Sequence, residues 1–217
     1  MDSTALDQAL EKVRVAFSKI PKPVDIPGCE HCLSKAEIGE LLATAPAELA
    51  EEKLSTYAAD VFLTVGSDAD FAYFWPRILE LSVRDRFFWP DPEVALGKLR
   101  LASWEQWPDR LREPVREVID LKFDDVIKDG DPDRIDEWLC GIGRCTPDIR
   151  PYLERLINNA SRESVLGFIN ANQSVFSKNK PGNAFWEDAP ENSERLVRWI
   201  KSGPAKELLS EAYGMQF

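Results

Sequence analysis

Leu6-Asp7-Gln8-Ala9-Leu10-Glu11-Lys12-Val13-Arg14-Val15-Ala16-Phe17-Ser18-Lys19-Ile20 decides the fold class. Leu6, Ala9, Leu10, Val13, Ala16, Phe17 and Ile20 recur at spacings of three and four, which marks one apolar face of a helix. Pro21, Pro23 and Pro27 end that helix, because proline fixes φ and biases its predecessor away from the α region. The expectation is an N-terminal helix over 1–20, then a Pro-rich linker over 21–33. The same periodicity continues downstream. A second helix is expected from about Ser34, with Ile38, Leu41 and Leu42 inward. Pro46 opens a third, through Leu49, Leu54, Tyr57, Ala58, Val61 and Phe62, and Gly66 stops it. Asp68 or Asp70 caps a fourth, carrying Phe71, Phe74, Ile78, Leu79 and Leu81. Pro76 interrupts that pattern and predicts a kink or restart, with Arg77 and Glu80 one turn apart just beyond it.

Further helices are expected at 92–101 and from Leu111 to Phe123. Others start at Asp131-Pro132 and Pro147 and cover Val165–Ile169, Leu196–Ile200 and Leu208–Leu209. Period-two alternation with β-branched enrichment is absent. The prediction is an all-α protein of about ten helices, packed as an irregular bundle or helical-repeat-like single domain over 1–217.

The 217 residues carry 27 Lys and Arg against 38 Asp and Glu, a net charge of −11. Such a chain has no long-range attraction for nucleic acid or anionic lipid, so neither is expected as a partner. With 44% hydrophobic and 10% aromatic residues it is too apolar for disorder. No apolar run approaches the roughly 20 residues of a membrane span. Met1-Asp2-Ser3-Thr4 lacks the basic start and apolar stretch of an export signal, so a cytoplasmic protein with reduced thiols is expected.

Cys29-Glu30-His31-Cys32 is the cysteine spacing that bears chemistry. Such a pair can offer two thiolates to zinc or cycle through a disulfide. A closed zinc site needs four ligands, and His31 is the only histidine, so Cys140 and Cys145 are the candidates to complete it. Ordinary reduced thiols are the leading reading, structural zinc the next, and redox work the third.

From Cys29 to Leu81 a longer pattern follows. Cys29 and Cys32 precede Tyr57-Ala58, Thr64 and Gly66, then Phe71, Phe74, Pro76-Arg77 and Leu79-Glu80-Leu81. This stretch, about a quarter of the chain, resembles a bacterial helical protein family with a Cys-x-x-Cys entry and a Phe-x-x-Phe-x-Pro-Arg-x-Leu-Glu-Leu motif. The resemblance implies a bacterial, mostly helical protein and no catalytic role.

Other motifs are weaker. Asp124-Asp125-Val126-Ile127-Lys128-Asp129 resembles the aspartate-rich motif of helical isoprenoid synthases, without a second such motif or a diphosphate-binding basic cluster. Asp129-Gly130-Asp131-Pro132-Asp133 places Arg134 and Cys140 where a calcium loop needs Gly and Glu. Gly141-Ile142-Gly143 lacks the strand and third glycine of a dinucleotide turn. No catalytic residue is assigned.

Two features carry the functional expectation. Nine of the 22 aromatics lie between Phe71 and Trp107, so Trp75, Trp89, Trp104 and Trp107, with Arg77, are candidate anchors for a protein partner. Residues 120–137 hold eight acids against three bases, which makes Asp120, Asp124, Asp125, Asp129 and Asp133 candidates for docking a basic partner. The expected function is a non-enzymatic, protein-binding protein of the bacterial cytoplasm, in concrete form an immunity-type inhibitor of a basic toxin. The alternative is a zinc-stabilised module or small metal-dependent enzyme built on Cys29 and Cys32.

Overall fold

Apolar faces at helical spacing need other helices to bury against, and the chain supplies them in sequence order. The computed structural model describes residues 3–86 and 89–214. Among these it contains twelve α-helices, three short 3-10 turns and no strand, only two isolated β-bridges. The chain divides into two compact units, the first ending at Leu121 and the second starting at Lys122.

In the first unit, α1 (Ser3–Phe17) buries Leu6, Ala9, Leu10, Val13 and Phe17 of the expected face, while Ala16 is half-buried and Ile20 lies beyond the helix, which ends three residues earlier than expected. An extended segment leads to α2 (Lys35–Ala43), which starts where Ser34 and Glu37 form a capping box. Ser34 Oγ accepts from the Glu37 amide at 3.3 Å, and Glu37 Oε2 accepts from the Ser34 amide at 2.8 Å. Pro46 opens only a 3-10 turn, Pro46–Glu48. The helix proper, α3, spans Glu51–Asp60 after an extended Leu49-Ala50.

A tight loop follows α3, with Phe62 and Gly66 at positive φ, and then α4 (Asp68–Val83). Its cap differs from expectation. Ser67 precedes the helix, and Asp70 reaches back to accept from the Ser67 amide at 2.9 Å and the Ser67 hydroxyl at 2.7 Å. The buried Asp70 carboxylate also takes the Tyr57 hydroxyl at 2.5 Å. α4 runs through Pro76 without the predicted restart. Phe71, Phe74, Trp75, Ile78 and Leu79 are buried on both sides of the proline, so packing holds the turns that lose a backbone bond there. The unit closes with α5 (Pro92–Leu101), a 3-10 turn at Trp104–Gln106, and the first part of α6 (Asp109–Asp129).

The second unit begins within α6 and continues through α7 (Pro132–Cys145), α8 (Arg150–Asn159), α9 (Arg162–Ala171) and α10 (Ser174–Lys178). A 3-10 turn at Ala184–Asp188 precedes α11 (Pro190–Lys201) and α12 (Gly203–Tyr213). α7 packs on α9, and α11 on α12. Gly143 serves packing: a Cβ there would lie 2.5 Å from the Trp186 ring, so only glycine admits that indole. Two buried amides tie loops to this core. Asn172 Nδ2 donates to Asp136 Oδ1 at 2.8 Å, and Asn192 Nδ2 donates to the Gly143 and Thr146 carbonyls at 2.7 and 2.8 Å.

Candidate functional site

Residues 124–137 occupy the end of α6, the Gly130 turn and the start of α7, all within the second unit. Asp131 caps α7 by accepting from the Asp133 amide at 3.0 Å, which fixes the turn. Asp124, Asp129, Asp131 and Asp133 are exposed, and Asp125 is half-buried. Arg155 pairs with Asp124 at 2.6 Å and Arg134 with Asp129 at 3.2 Å on this surface. Lys122 does not offset the acids, because it is buried with its ammonium 5.5 Å from the Trp138 ring centre. Asp136 is buried too, and burial holds its carboxyl above the usual aspartate range against its bonds from Asn172 and Asn183. Asp120 is half-buried on α6, on the first unit's side of the boundary.

The aromatic and arginine candidates divide. Trp75 and Trp104 are 0% and 1% exposed, so they are core side chains and cannot anchor a partner. Trp107 is half-buried against Phe17, its ring centre 5.6 Å away in an edge-to-face contact. Trp89 is the exposed member, at 44%. Phe87 and Phe88, the rest of that triplet, lie outside the described residues. Arg77 is structural. Its Nε and Nη2 donate to the Leu49 carbonyl at 3.0 and 2.8 Å, and Nη1 meets Glu80 at 3.0 Å. It also lines a cleft of about 260 Å³ with Arg14, Phe17, Pro46, Tyr73 and Glu80, among others.

Cys29 and Cys32 are placed by residues far along the chain. The Cys29 amide donates to the Thr64 carbonyl at 2.9 Å, the Gly66 amide to the Pro27 carbonyl at 2.7 Å, and Gly28 bridges Val65. This approach requires glycine, since a Cβ on Gly28 would fall 2.5 Å from both Thr64 O and Val65 Cα. The loop is held in turn by Lys98. Its buried ammonium donates to the Ala59 carbonyl and, at 3.0 Å, to the Val61 carbonyl, where α3 leaves its last acceptors open.

Cys29 to Cys32 is a closed turn, with the Cys32 amide on the Cys29 carbonyl at 3.0 Å. The Cys29 sulfur accepts from the Cys32 thiol and from the His31 and Cys32 amides, and these bonds push its pKa down. Cys32 moves the other way. The Thr64 hydroxyl favours its thiolate, but the bond to Cys29, partial burial and nearby negative charge together raise it.

Cys140 and Cys145 are buried in α7 of the second unit. Among the described residues, no group of three or more His, Cys, Asp or Glu is placed to hold a metal ion. Thr64, Gly28 and Lys98 carry no local signal in the sequence that ties them to the cysteines. Among the described residues no helix is long and apolar enough to cross a membrane. Compared with models of protein families, with curated proteins and with solved structures, the chain matches none.

Proposed function

We propose that this chain is a non-enzymatic, protein-binding protein that docks a basic partner on the acidic surface of α6 and α7. One observation carries the reading. Four exposed aspartates, Asp124, Asp129, Asp131 and Asp133, fall within ten residues, and the nearby Lys122 is withdrawn into the core. A surface with more acids than bases, here with Arg134, Arg155 and the exposed Lys128 among the carboxylates, raises the encounter rate with a basic chain. The biological form of this proposal is an immunity-type inhibitor that blocks a basic toxin in the bacterial cytoplasm. The zinc alternative rests on Cys29 and Cys32 alone, because no third donor joins them among the described residues.

Oligolysine serves as the test probe, followed by amide chemical shifts. The largest shifts are expected over 124–137. They are expected to fade as salt shortens the screening length from about 30 Å at 0.01 M to about 8 Å at physiological strength. The combined Asp124→Asn, Asp129→Asn and Asp133→Asn variant is expected to lose most of this response. Each exposed pair contributes only about 0–1 kcal/mol, so single changes are weak tests. Equal shifts on other acidic segments, or an unchanged triple variant, would reduce this surface to a solvated face.

A further inference from the structure

We propose that the cleft lined by Arg14 and Arg77 binds a small aromatic carboxylate, at a site independent of the acidic surface of α6 and α7. Three segments of the first unit build it: the end of α1 with the residues just after it, the turn at 45–47, and one face of α4. Tyr73, Pro76, Arg77 and Glu80 fall at helical spacing, so α4 offers all four to the same cleft. Phe17, Ile20, Pro46, Tyr73 and Pro76 supply apolar walls that suit a flat ring. At about 260 Å³ the cleft lies just below the range of about 300–1,000 Å³ that drug-sized ligands fill, which limits the occupant to about one or two rings.

Charge sets the sign of the ligand. Among the described residues, the guanidiniums of Arg14 and Arg77 line the cleft against a single carboxylate, Glu80. Glu80 is engaged on both oxygens: Oε1 meets Arg14 at 2.8 Å and Arg84 Nε at 3.4 Å, and Oε2 meets Arg77 at 3.0 Å. A cationic ligand has to displace a guanidinium to reach that carboxylate, whereas an anion meets cations directly. Arg77 is the fixed member, because its Nε and Nη2 are anchored on the Leu49 carbonyl and its side chain is 19% exposed. Arg14 is the adjustable one. Its other partner, Glu11, lies one turn away with its side chain 62% exposed, a solvent-screened pair that a ligand carboxylate can replace. The planar guanidinium fork matches a carboxylate in shape as well as charge. The ligand's carboxylate therefore meets Arg14 and Arg77, and its ring lies against Phe17, Pro46 and Tyr73.

The test titrates the isotope-labelled full chain at neutral pH with benzoate and, separately, with naphthoate, and follows amide chemical shifts. At least one of the two is expected to saturate below about 1 mM, with the largest shifts over 14–20, at Ala45 and Ala47, and over 73–80. The neutral benzamide and naphthamide, and the cationic naphthylmethylamine, are expected to bind about tenfold or more weakly than the matching carboxylate. Arg14→Gln should weaken the carboxylate by about tenfold and the neutral amide by no more than about twofold. Circular dichroism checks that this variant keeps its helix content, and the wild-type ligand series stands without it. Saturation by neither carboxylate overturns the proposal, as do shifts centred outside the cleft. Equal affinity for carboxylate and amide overturns it in favour of an apolar crevice without charge selection. Tighter binding of naphthylmethylamine overturns it in favour of a cation site on Glu80. The acidic surface is read separately with oligolysine, so the two proposals fail independently.

Discussion

Asp136 shows at the scale of one residue how position changes the meaning of a charge. In sequence it is one of eight acids between 120 and 137, yet it is buried under Asn172 and Asn183 with its pKa raised. Below the ordinary aspartate value of 3.8 the carboxyl is protonated in both folded and unfolded chains. As pH rises, the unfolded chain releases the proton first, so the second unit loses stability until the raised folded pKa is passed. Asp136→Asn removes that loss and can keep an acceptor for Asn172. The variant is therefore expected to gain on the wild type as pH rises from about 4 to about 7, read by hydrogen exchange of α7 and α9 amides. Asp148 acts in the opposite sense: bonds from Arg150 hold it at about 2, so its contribution is lost only as pH falls through that value. The window above pH 4 thus isolates Asp136. A constant offset between the two proteins would contradict the assignment. The cysteine pair was legible as a spacing at this scale. The opposite pKa shifts of its two members were not, because Thr64, His31 and the turn set their surroundings.

α4 concentrates the element-scale questions. Its apolar face was legible from Phe71 to Leu81, and its start near Asp68 and Asp70, but not Ser67 as the cap. The effect of Pro76 was not, because a helix tolerates a missing bond when burial on both sides holds the adjacent turns. An interior proline costs about 3 kcal/mol, offset in part by about 0.4–1 kcal/mol of lost freedom in the unfolded chain. Pro76→Ala is therefore expected to raise the stability of the first unit by about 1–2 kcal/mol in urea denaturation. Arg77→Met should lower it by about 1–3 kcal/mol, because the Leu49 carbonyl loses both donors and Glu80 one partner. Arg77→Lys should recover little, since an ammonium cannot present the guanidinium fork. If Arg77→Met left stability unchanged while weakening partner binding, Arg77 would return as an interface residue.

Over the whole molecule, the expectation is a far-ultraviolet circular dichroism spectrum dominated by helix, since 73% of the described residues are helical and no strand occurs among them. Substantial sheet would contradict both the periodicity and the fold. The tryptophans show why an interface is harder to read than a fold. Trp75 and Trp104 stand in an aromatic-rich stretch that suggests anchors, but the first unit consumes them as core, with Phe71 and Trp75 ring centres 5.1 Å apart. The acidic run keeps its surface because desolvating a carboxylate costs more than packing returns, with the paired and partnered Asp136 as the buried exception.

The sequence by itself determined the helical class, the break at Pro21–Pro27 and the start of the second helix near Ser34. These depend on spacing, proline geometry and hydrogen bonds within a few residues, all local properties of the chain. Tertiary structure alone decided the division at Leu121, the burial of Lys122 and Asp136, and the approach of Gly28 to Val65 that sets Cys29 under Thr64. Those outcomes join residues more than thirty positions apart or choose which side of a helix faces the core. Such choices follow from the packing of several helices together, which no local pattern specifies.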